Sequence, residues 1–207
     1  MFYETSDNRH GLAHDPFKAI VSPRPIGWIS TRSRDGAVNL SPYSFFNAIS
    51  DKPKLVMFSS AGMKDSATFA IESGEFVCNF VTEQLAEALN RSSAPAPRGT
   101  SEFPFSGLTE APSRLISAPR VAESPAALEC RVTEWFHPRD IDGGHSGNVV
   151  VIGQVVGIHL DDALIRDGRI DMALAAPLSR LGYMDYAVTR EVFEMFRPKA
   201  PDASDLD

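Results

Sequence analysis

The segment from Asn148 to Leu160 limits the possible folds more than any other part of the sequence. Residues 149–158 are Val-Val-Val-Ile-Gly-Gln-Val-Val-Gly-Ile, a run that is apolar on both faces of a strand apart from Gln154. A strand of this kind needs cover on both faces and is typical of a central position in a sheet. The sequence therefore predicts a sheet with this strand at its centre.

Further segments carry strand patterns and are separated by turns or short helical stretches. These segments are residues 26–32, 37–47, 54–60, 75–81 and 126–136. The dipeptide Asp35-Gly36 is a turn signal between the first two. Pro42 indicates an edge strand or a bulge, because proline cannot donate to a strand ladder. Since strands outnumber helices, we expect a mainly β fold with peripheral helices, arranged as an antiparallel barrel.

Two short helices and one long loop complete the expected architecture. The first helix has Asp65 or Ser66 as its cap and Gly74 at its left-handed stop, and the second begins at Thr82. Residues 92–113 are rich in Ser, Pro and Gly and are expected to form a long loop. Loops of this length in compact domains are often binding loops or lids.

The chain length of 207 residues fits one domain. We expect a single domain over residues 1–197, with its core at about 15–187. Residues 198–207 form an acidic tail, with three aspartates among the last six residues, which we expect to be disordered.

The net charge and the cysteine content indicate which partners the protein can bind and in which cellular compartment it works. The net charge of −7 argues against a protein that coats nucleic acid, because neutralising phosphates requires surplus Lys and Arg. No apolar run approaches the ~20 residues that span a bilayer, and the N-terminus has no apolar signal core. Cys78 and Cys130 each lie in an apolar run, which suits a reducing cytoplasm. We therefore expect a cytoplasmic protein with neither a nucleic acid nor a membrane as partner.

Common catalytic and metal-binding signatures are missing from the sequence. It contains no phosphate loop ending in Gly-Lys-Ser/Thr, no Gly-x-Gly-x-x-Gly after a strand and no Gly-x-Ser-x-Gly elbow. His10 and His14 are four residues apart, but Gly11 lies between them and no third ligand is evident. We expect no metal site.

Polar and aromatic side chains are concentrated on the first three predicted strands and just after them. They are Trp28, Ser30, Thr31, Asn39, Ser41, Tyr43, Ser44, Phe45, Phe46, Asn47, Ser59, Ser60 and Lys64. So many hydroxyl and amide groups in a core sheet are costly without hydrogen-bonding partners. Two interpretations remain open: a buried polar ligand supplies the partners, or the sheet has one solvated face.

An ordered set of motifs identifies a family. The set comprises Ser22-Pro-Arg-Pro-Ile-Gly-Trp-Ile-Ser-Thr31, Asp35-Gly36, Asn39-Leu-Ser-Pro-Tyr-Ser-Phe-Phe-Asn47, Lys64-Asp65 with Thr68, Gly74-Glu-Phe-Val-Cys-Asn79, Val151-Ile-Gly-Gln-Val-Val156 and Leu178-Ser-Arg-Leu-Gly182. In this order they resemble the flavin reductase-like, FMN-binding split-barrel family, over about residues 15–187. The group with flavoredoxin and the reductase components of two-component monooxygenases is the most similar. The resemblance implies a six-stranded antiparallel Greek-key split barrel that forms a homodimer and binds a flavin near the subunit interface.

The resemblance also implies a set of flavin-binding residues. Lys64 with the hydroxyls of Ser59 and Ser60 suits the phosphate of FMN, helped by backbone amides at the start of the following helix. The segment Ser44, Phe45, Phe46 and Asn47 suits the edge of the ring, largely through its main-chain N–H groups. The residues expected at the ring or the ribityl chain are Trp28, Ser30 and Thr31. Arg24 and Arg98 are two further candidates for flavin binding. The alternative role of Arg24 is to fix the Pro-Arg-Pro segment, and the alternative for Arg98 is an exposed charge in a loop.

One departure from the family pattern affects the expected activity. Several flavin reductases carry a histidine about five residues before the glycine of the Val-Ile-Gly strand, and here that position is Asn148, with His145 three residues earlier. This difference favours the flavoredoxin-like group. We expect an FMN-binding oxidoreductase of the NAD(P)H-dependent flavin reductase type, with FAD as a possible substitute, and no catalytic side chain, because the cofactor supplies the chemistry. A non-enzymatic electron carrier and a split barrel that binds a small ligand without redox activity remain alternatives. A monooxygenase or another redox protein is the expected partner.

Overall fold

The computed structural model describes residues 1–198. Its strands are β1 (Arg24–Pro25), β2 (Gly27–Arg32), β3 (Val38–Tyr43), β4 (Phe46–Asp51), β5 (Lys54–Ala61), β6 (Glu75–Asn79), β7 (Glu110–Ala111), β8 (Arg120–Val121), β9 (Ala126–Phe136), β10 (Asn148–Leu160), β11 (Ile165–Arg166), β12 (Arg169–Ile170), β13 (Leu178–Arg180) and β14 (Tyr186–Val188). Its helices are α1 (Phe17–Ile20), α2 (Asp65–Ser73), α3 (Ala86–Ser92), α4 (Phe103–Ser106) and α5 (Met172–Ala175), with 3-10 turns at Glu83–Leu85 and Asp162–Leu164. The expected acidic tail, residues 198–207, lies outside the described residues apart from Pro198.

A seven-stranded antiparallel sheet forms the body of the protein, in the order β3-β2-β6-β9-β10-β5-β4. The expected mainly β fold is confirmed, whereas the expected number of six strands is not. Strand β10 lies between β9 and β5, so its predicted interior position is also confirmed. Gly153 of β10 is required by close packing, because a Cβ atom there would lie 2.4 Å from the ring of Phe76.

The sheet curls because its two edge strands are consecutive in the chain. Strands β3 and β4 lie at opposite edges, yet only Ser44 and Phe45 separate them. So short a connection spans about 10 Å at most, which brings the edges together. The backbone N–H of Ser59 on β5 donates to the carbonyl of Phe45 at this corner, at 2.8 Å. The expected single strand over residues 37–47 is therefore wrong: it is two strands joined by a corner.

Pro42 lies in β3, which pairs only with β2 and is thus an edge strand, as its missing N–H predicts. Strand β2 beside it is buried on both faces. Since successive side chains alternate, Trp28 belongs to one hydrophobic cluster and Ile29 to another. Large rings such as Phe58 and Phe76 fill the second cluster, and truncating such a ring to alanine typically costs about 3–5 kcal/mol.

Helix α2 covers the second cluster with Ala67 and Ala70 and ends as expected at Gly74, which has φ of 77°. Its start differs from the prediction. Neither Asp65 nor Ser66 caps the helix, and Lys64 occupies the N-cap position without a side-chain bond to the backbone. The two polar side chains instead bind other segments, and these contacts shape the pocket described below. Among residues 1–198, no helix combines the length and apolar character that crossing a membrane requires.

A buried carboxylate fixes the loop between β7 and β8. Glu129 on β9 is fully buried and accepts hydrogen bonds from the backbone N–H groups of Arg114 and Leu115, both at 2.7 Å, and contacts Nε2 of His159. Burial alone would raise the pKa of this carboxyl, but the hydrogen bonds from Arg114, His159 and Leu115 outweigh it and lower the pKa. The ionised form therefore stabilises the fold.

We expect Glu129→Gln to lower the free energy of unfolding at pH 7 by about 2 kcal/mol, the usual value of a hydrogen bond to a charged group. Because the pKa of Glu129 is lower in the folded state, its contribution is present above the ordinary glutamate pKa and is lost as the pH falls through the lowered value. Urea titrations from pH 7 to pH 3 should show a smaller acid-induced loss for the variant than for the wild type. Parallel pH profiles of the two proteins would refute this role of Glu129.

Candidate functional site

A pocket of about 360 Å³ lies between β3, the start of α2 and the loop that joins α3 to α4. This loop is part of the predicted binding loop at residues 92–113. The polar residues that line the pocket are Asn39, Ser41, Tyr43, Lys64, Asp65, Ser66, Ser93, Arg98 and Glu102. The pocket thus contains two cations and two acids beside hydroxyl and amide groups.

Strand β3 supplies one wall of the pocket through alternate residues. Asn39, Ser41 and Tyr43 are two apart, so their side chains lie on the same face of the strand. The ring of Tyr43 packs against Phe58 with a centroid separation of 5.0 Å, and burial raises the pKa of its phenol. The phenol therefore stays protonated at neutral pH and can act as a hydrogen-bond donor.

A buried hydrogen-bond network joins this wall to the loop and to α2. The carboxylate of Glu102 accepts from Nδ2 of Asn39 at 2.8 Å and from the backbone N–H of Leu40 at 2.7 Å. Oγ of Ser66 donates to Oδ1 of Asn39. Burial raises the pKa of Glu102 despite these hydrogen bonds, and the nearby carboxylate of Asp65 also raises it. The network fixes three separate segments around the pocket.

The two cations occupy different environments. Lys64 stands at the start of α2, where free backbone N–H groups and the helix dipole favour an anion. Nε of Arg98 lies 3.0 Å from Oδ1 of Asp65, and Oδ2 of Asp65 accepts from the backbone N–H of Gly99 at 2.6 Å. Asp65 therefore binds the loop to the helix and partly neutralises Arg98.

The predicted phosphate-binding serines lie on β5, before the turn that leads to Lys64. Ser60 is buried and its Oγ donates to the carbonyl of Gly62 at 2.8 Å. Oγ of Ser59 accepts from Nδ2 of Asn148 at 3.0 Å. Asn148 thus holds β10 to β5. The ring of His145 lies beside that of His137, 5.6 Å between centroids.

The predicted ring-edge segment forms the corner between β3 and β4, outside the residues that line the pocket. Phe46 covers Gly27, where an added Cβ would lie 2.4 Å from the Phe46 ring. Oδ1 of Asn47 accepts from the N–H of Ala48 next to it, at 2.9 Å. Phe45 is partly exposed, and Oγ of Ser44 lies 3.5 Å from Nε of Arg24. The corner follows directly on Tyr43, so it adjoins the pocket along the chain.

The remaining predicted residues are buried in the protein. Nε1 of Trp28 donates to Oγ of Ser92 at 2.9 Å, and Oγ of Ser30 donates to the carbonyl of Pro119 at 2.5 Å. Thr31 is fully buried, and its Oγ1 has no hydrogen-bond partner among residues 1–198. None of the three is among the residues that line the pocket.

Arg24 is also buried and has protein partners. Its guanidinium donates to the carbonyls of Lys18, Val21 and Leu181, and burial lowers its pKa. These bonds tie the segment before β1 to the end of β13. This geometry agrees with the alternative role of Arg24, in fixing the Pro-Arg-Pro segment.

The pocket also contains residues that were not among the predicted site residues. Asn39, Ser41 and Tyr43 belong to the polar cluster noted in the sequence, which is the signal that could have found them. Glu102 has no such signal, because its bond to Asn39 joins residues 63 positions apart. Asp65 and Ser66 were interpreted as helix caps, and their contacts with distant segments are not visible in the sequence.

Comparisons with known proteins agree with this architecture. A model of the family described as "Flavin reductase like domain" matches residues 21–184. A protein from Halalkalibacterium halodurans is 41% identical over 183 residues, which are 86% of this chain and 87% of that protein. The crystal structure of nitrilotriacetate monooxygenase component B from Bacillus cereus has a TM-score of 0.86 and 30% identity, covering 94% of this chain and 98% of that one. A protein with a split barrel domain from Shewanella frigidimarina has the same fold, with a TM-score of 0.77, 24% identity and coverage of 96% and 94%.

The family match covers most of the chain, including every strand of the curled sheet and all the residues that line the pocket. The sequence relative covers 86% of the chain, and the two structural neighbours cover 94% and 96% of it. The chain therefore belongs to the flavin reductase-like family, and its curled antiparallel sheet is that of the split barrel.

Proposed function

We propose that the protein binds FMN in the pocket beside α2 and acts as an NAD(P)H-dependent oxidoreductase of the flavin reductase type. The observation that carries the proposal is the meeting of Lys64, Arg98 and the start of α2 in one polar pocket. FMN ends in a phosphate that carries up to two negative charges, and such a group binds well to Lys, Arg and a helix N-terminus.

The chemistry of the pocket fits the rest of FMN as well. Ser41, Ser66 and Ser93 line it with hydroxyls that can exchange hydrogen bonds with the ribityl chain. The pocket volume of about 360 Å³ is in the usual range for small-ligand sites. We place the flavin ring beyond Tyr43, toward the corner formed by Ser44, Phe45, Phe46 and Asn47, where main-chain N–H groups can bind its polar edge. Ser59 and Ser60 lie on the strand that leads to the phosphate end.

Bound FMN would supply the redox chemistry, taking two electrons from a reduced nicotinamide and passing them on. The residues of the chain bind and orient the flavin. The network of Glu102, Asn39 and Ser66 holds β3, α2 and the loop at fixed positions, so the pocket is largely formed before the ligand arrives. Such preorganisation lowers the free-energy cost of ordering the site when the ligand binds.

Oxidation of NADH and of NADPH by the purified protein in the presence of FMN tests the activity. We expect one of the two to be consumed with multiple turnovers, at a rate that saturates with FMN. Binding of FMN without nicotinamide oxidation would instead favour the electron-carrier alternative. A protein that binds no flavin would exclude both.

The partner proposal rests on the neighbour from Bacillus cereus, which is component B of a monooxygenase. We propose that a monooxygenase or another redox protein accepts the electrons. We also propose that the protein works in the cytoplasm. FAD is a possible substitute for FMN.

We also propose that the protein is a homodimer. Strands β4, β9 and β10 expose large apolar side chains. A groove of about 430 Å³ is lined by Leu55, Val56, Leu128, Val155 and Ile158, among others. The exposed side chains are Ile49, Trp135, Phe136, Ile158 and Leu160. Trp135 and Phe136 lie beside one end of β10, and Ile158 and Leu160 lie at its other end, by the groove. Exposed apolar side chains around a groove are typical of an interaction site.

We expect sedimentation equilibrium at micromolar protein to give a mass of two chains, about twice 22.6 kDa. Ile158→Asp, which places a charge in the groove, should shift the equilibrium toward one chain, whereas the exposed Ile141→Asp outside the groove should not. A wild-type mass of one chain, with FMN present, would exclude the dimer.

A further inference from the structure

The contact between Asp65 and Arg98 bears on how tightly the proposed site holds its ligand. Asp65 belongs to α2 and Arg98 to the α3–α4 loop, and both line the pocket together with Lys64. Oδ1 of Asp65 binds Nε of Arg98, while Oδ2 binds the backbone N–H of Gly99. One carboxylate therefore makes two separate contacts with the same loop.

The two contacts differ in how easily they break. The side chain of Arg98 is 68% exposed and that of Asp65 only 12%. An ion pair with so exposed a partner contributes little, because water and salt screen it. The bond from Gly99 comes from a backbone turn that the N–H of Thr100 closes on the carbonyl of Pro97, so it can persist when the guanidinium leaves. The loop can thus stay where it is while Arg98 changes partner.

A phosphate beside Lys64 would compete for the same guanidinium. A phosphomonoester dianion offers several acceptor oxygens and more charge than a carboxylate, and arginine binds both groups well. Nη2 of Arg98 donates to the carbonyl of Met63, so a phosphate that binds Arg98 through its Nε–H displaces Asp65. Part of the binding free energy is then spent on breaking that ion pair. The negative charge of Asp65 also opposes the approach of the dianion.

We propose that Asp65 is a positioning residue that competes with the ligand phosphate for Arg98 and so weakens the hold on FMN, which makes the flavin exchangeable rather than permanently bound. This inference rests on the proposed function, since it assumes that the FMN phosphate lies beside Lys64 and Arg98. It adds a role for Asp65 that a purely structural contact would not have.

The substitution Asp65→Asn separates the two contacts. Asparagine keeps an amide oxygen for the N–H of Gly99 and has nearly the same shape, but it lacks the charge that pairs with Nε of Arg98. We expect this variant to bind FMN about two- to fivefold more tightly than the wild type, as judged by quenching of flavin fluorescence. Riboflavin, which has no phosphate, should bind both proteins equally. A contact that only supports the fold would give weaker binding of both flavins.

The double variant Asp65→Asn/Arg98→Ala tests whether the gain in FMN affinity depends on Arg98. We expect Arg98→Ala to weaken FMN binding and leave riboflavin binding unchanged, and we expect Asp65→Asn to bring no gain in that background. A gain of full size without Arg98 would overturn the proposed competition. Glu194→Gln, which breaks the exposed ion pair with Arg169, is the matched control and should alter neither affinity.

A measurement on the wild type avoids dependence on the variants. In protein labelled at arginine, the Nε–H resonance of Arg98 should shift when FMN is added and stay in place with riboflavin, while the amide of Gly99 remains protected. Unchanged Arg98 signals with FMN bound would overturn the inference but leave the proposed function intact. A wild type that binds no flavin would overturn both.

Discussion

Replacing Lys64 by alanine is expected to weaken FMN binding by about ten- to one-hundredfold. This loss of affinity corresponds to the loss of one charge-assisted hydrogen bond, about 1.5–3 kcal/mol. Riboflavin should bind the variant and the wild type equally, since it has no phosphate. Because Lys64 is at the N-cap position and its side chain makes no capping bond, the substitution should leave the stability of α2 nearly unchanged.

Equilibrium titration of flavin fluorescence measures both affinities on the same preparation. Arg9→Ala is the matched control, because Arg9 is an exposed cation paired with Asp7 near the N-terminus and does not line the pocket. Equal losses for FMN and riboflavin in the Lys64 variant would show that Lys64 contacts another part of the flavin, or none.

The second large effect is expected for Glu102→Ala, which should lower the free energy of unfolding by about 3 kcal/mol. Removing the carboxylate leaves two donors without their partner, Nδ2 of Asn39 and the backbone N–H of Leu40, and each unsatisfied buried group costs about 1–3 kcal/mol. The same change frees the loop from β3, so flavin binding should weaken for riboflavin as well as for FMN.

Glu102→Gln serves as the comparison, since it keeps one acceptor oxygen and should lose less stability. It also tests the charge state. Because the pKa of Glu102 is raised in the folded protein, ionisation should cost stability as the pH rises from the ordinary glutamate value toward the raised one. Urea titrations of the Glu102→Gln variant over that pH range should show no such loss of stability. An Ala variant as stable as the wild type would mean that the network does not hold the pocket.

Local pattern was sufficient to predict the parts of the fold that depend on nearby residues. The apolar character of β10 on both faces placed it inside the sheet, and Gly74 marked the end of α2 through its left-handed backbone. The division between β3 and β4 was missed because Ser44 and Phe45 carry no turn signal. That corner depends on two sheet edges meeting, and edge positions are set by pairings between distant segments.

For the same reason, only part of the lining of the candidate pocket follows from the sequence. Lys64 and Arg98 were expected from the family resemblance, and both line the pocket. Trp28 and Ser30 were expected at the flavin, yet their polar atoms bind Ser92 and Pro119 in the interior. A polar residue on a strand has the same appearance in sequence whether it binds a ligand or a loop that folds over the sheet. Only the positions of α3 and of the β7–β8 loop distinguish the two cases.

A titration of the flavin-free wild-type protein with FMN and with riboflavin, by calorimetry at pH 7, tests the central claim most directly. We expect one FMN per chain and an affinity for FMN at least about tenfold above that for riboflavin, because only FMN carries the group that Lys64 and Arg98 bind. Equal affinities for the two flavins, or no binding of either, would contradict the assignment of this pocket to the phosphate of FMN.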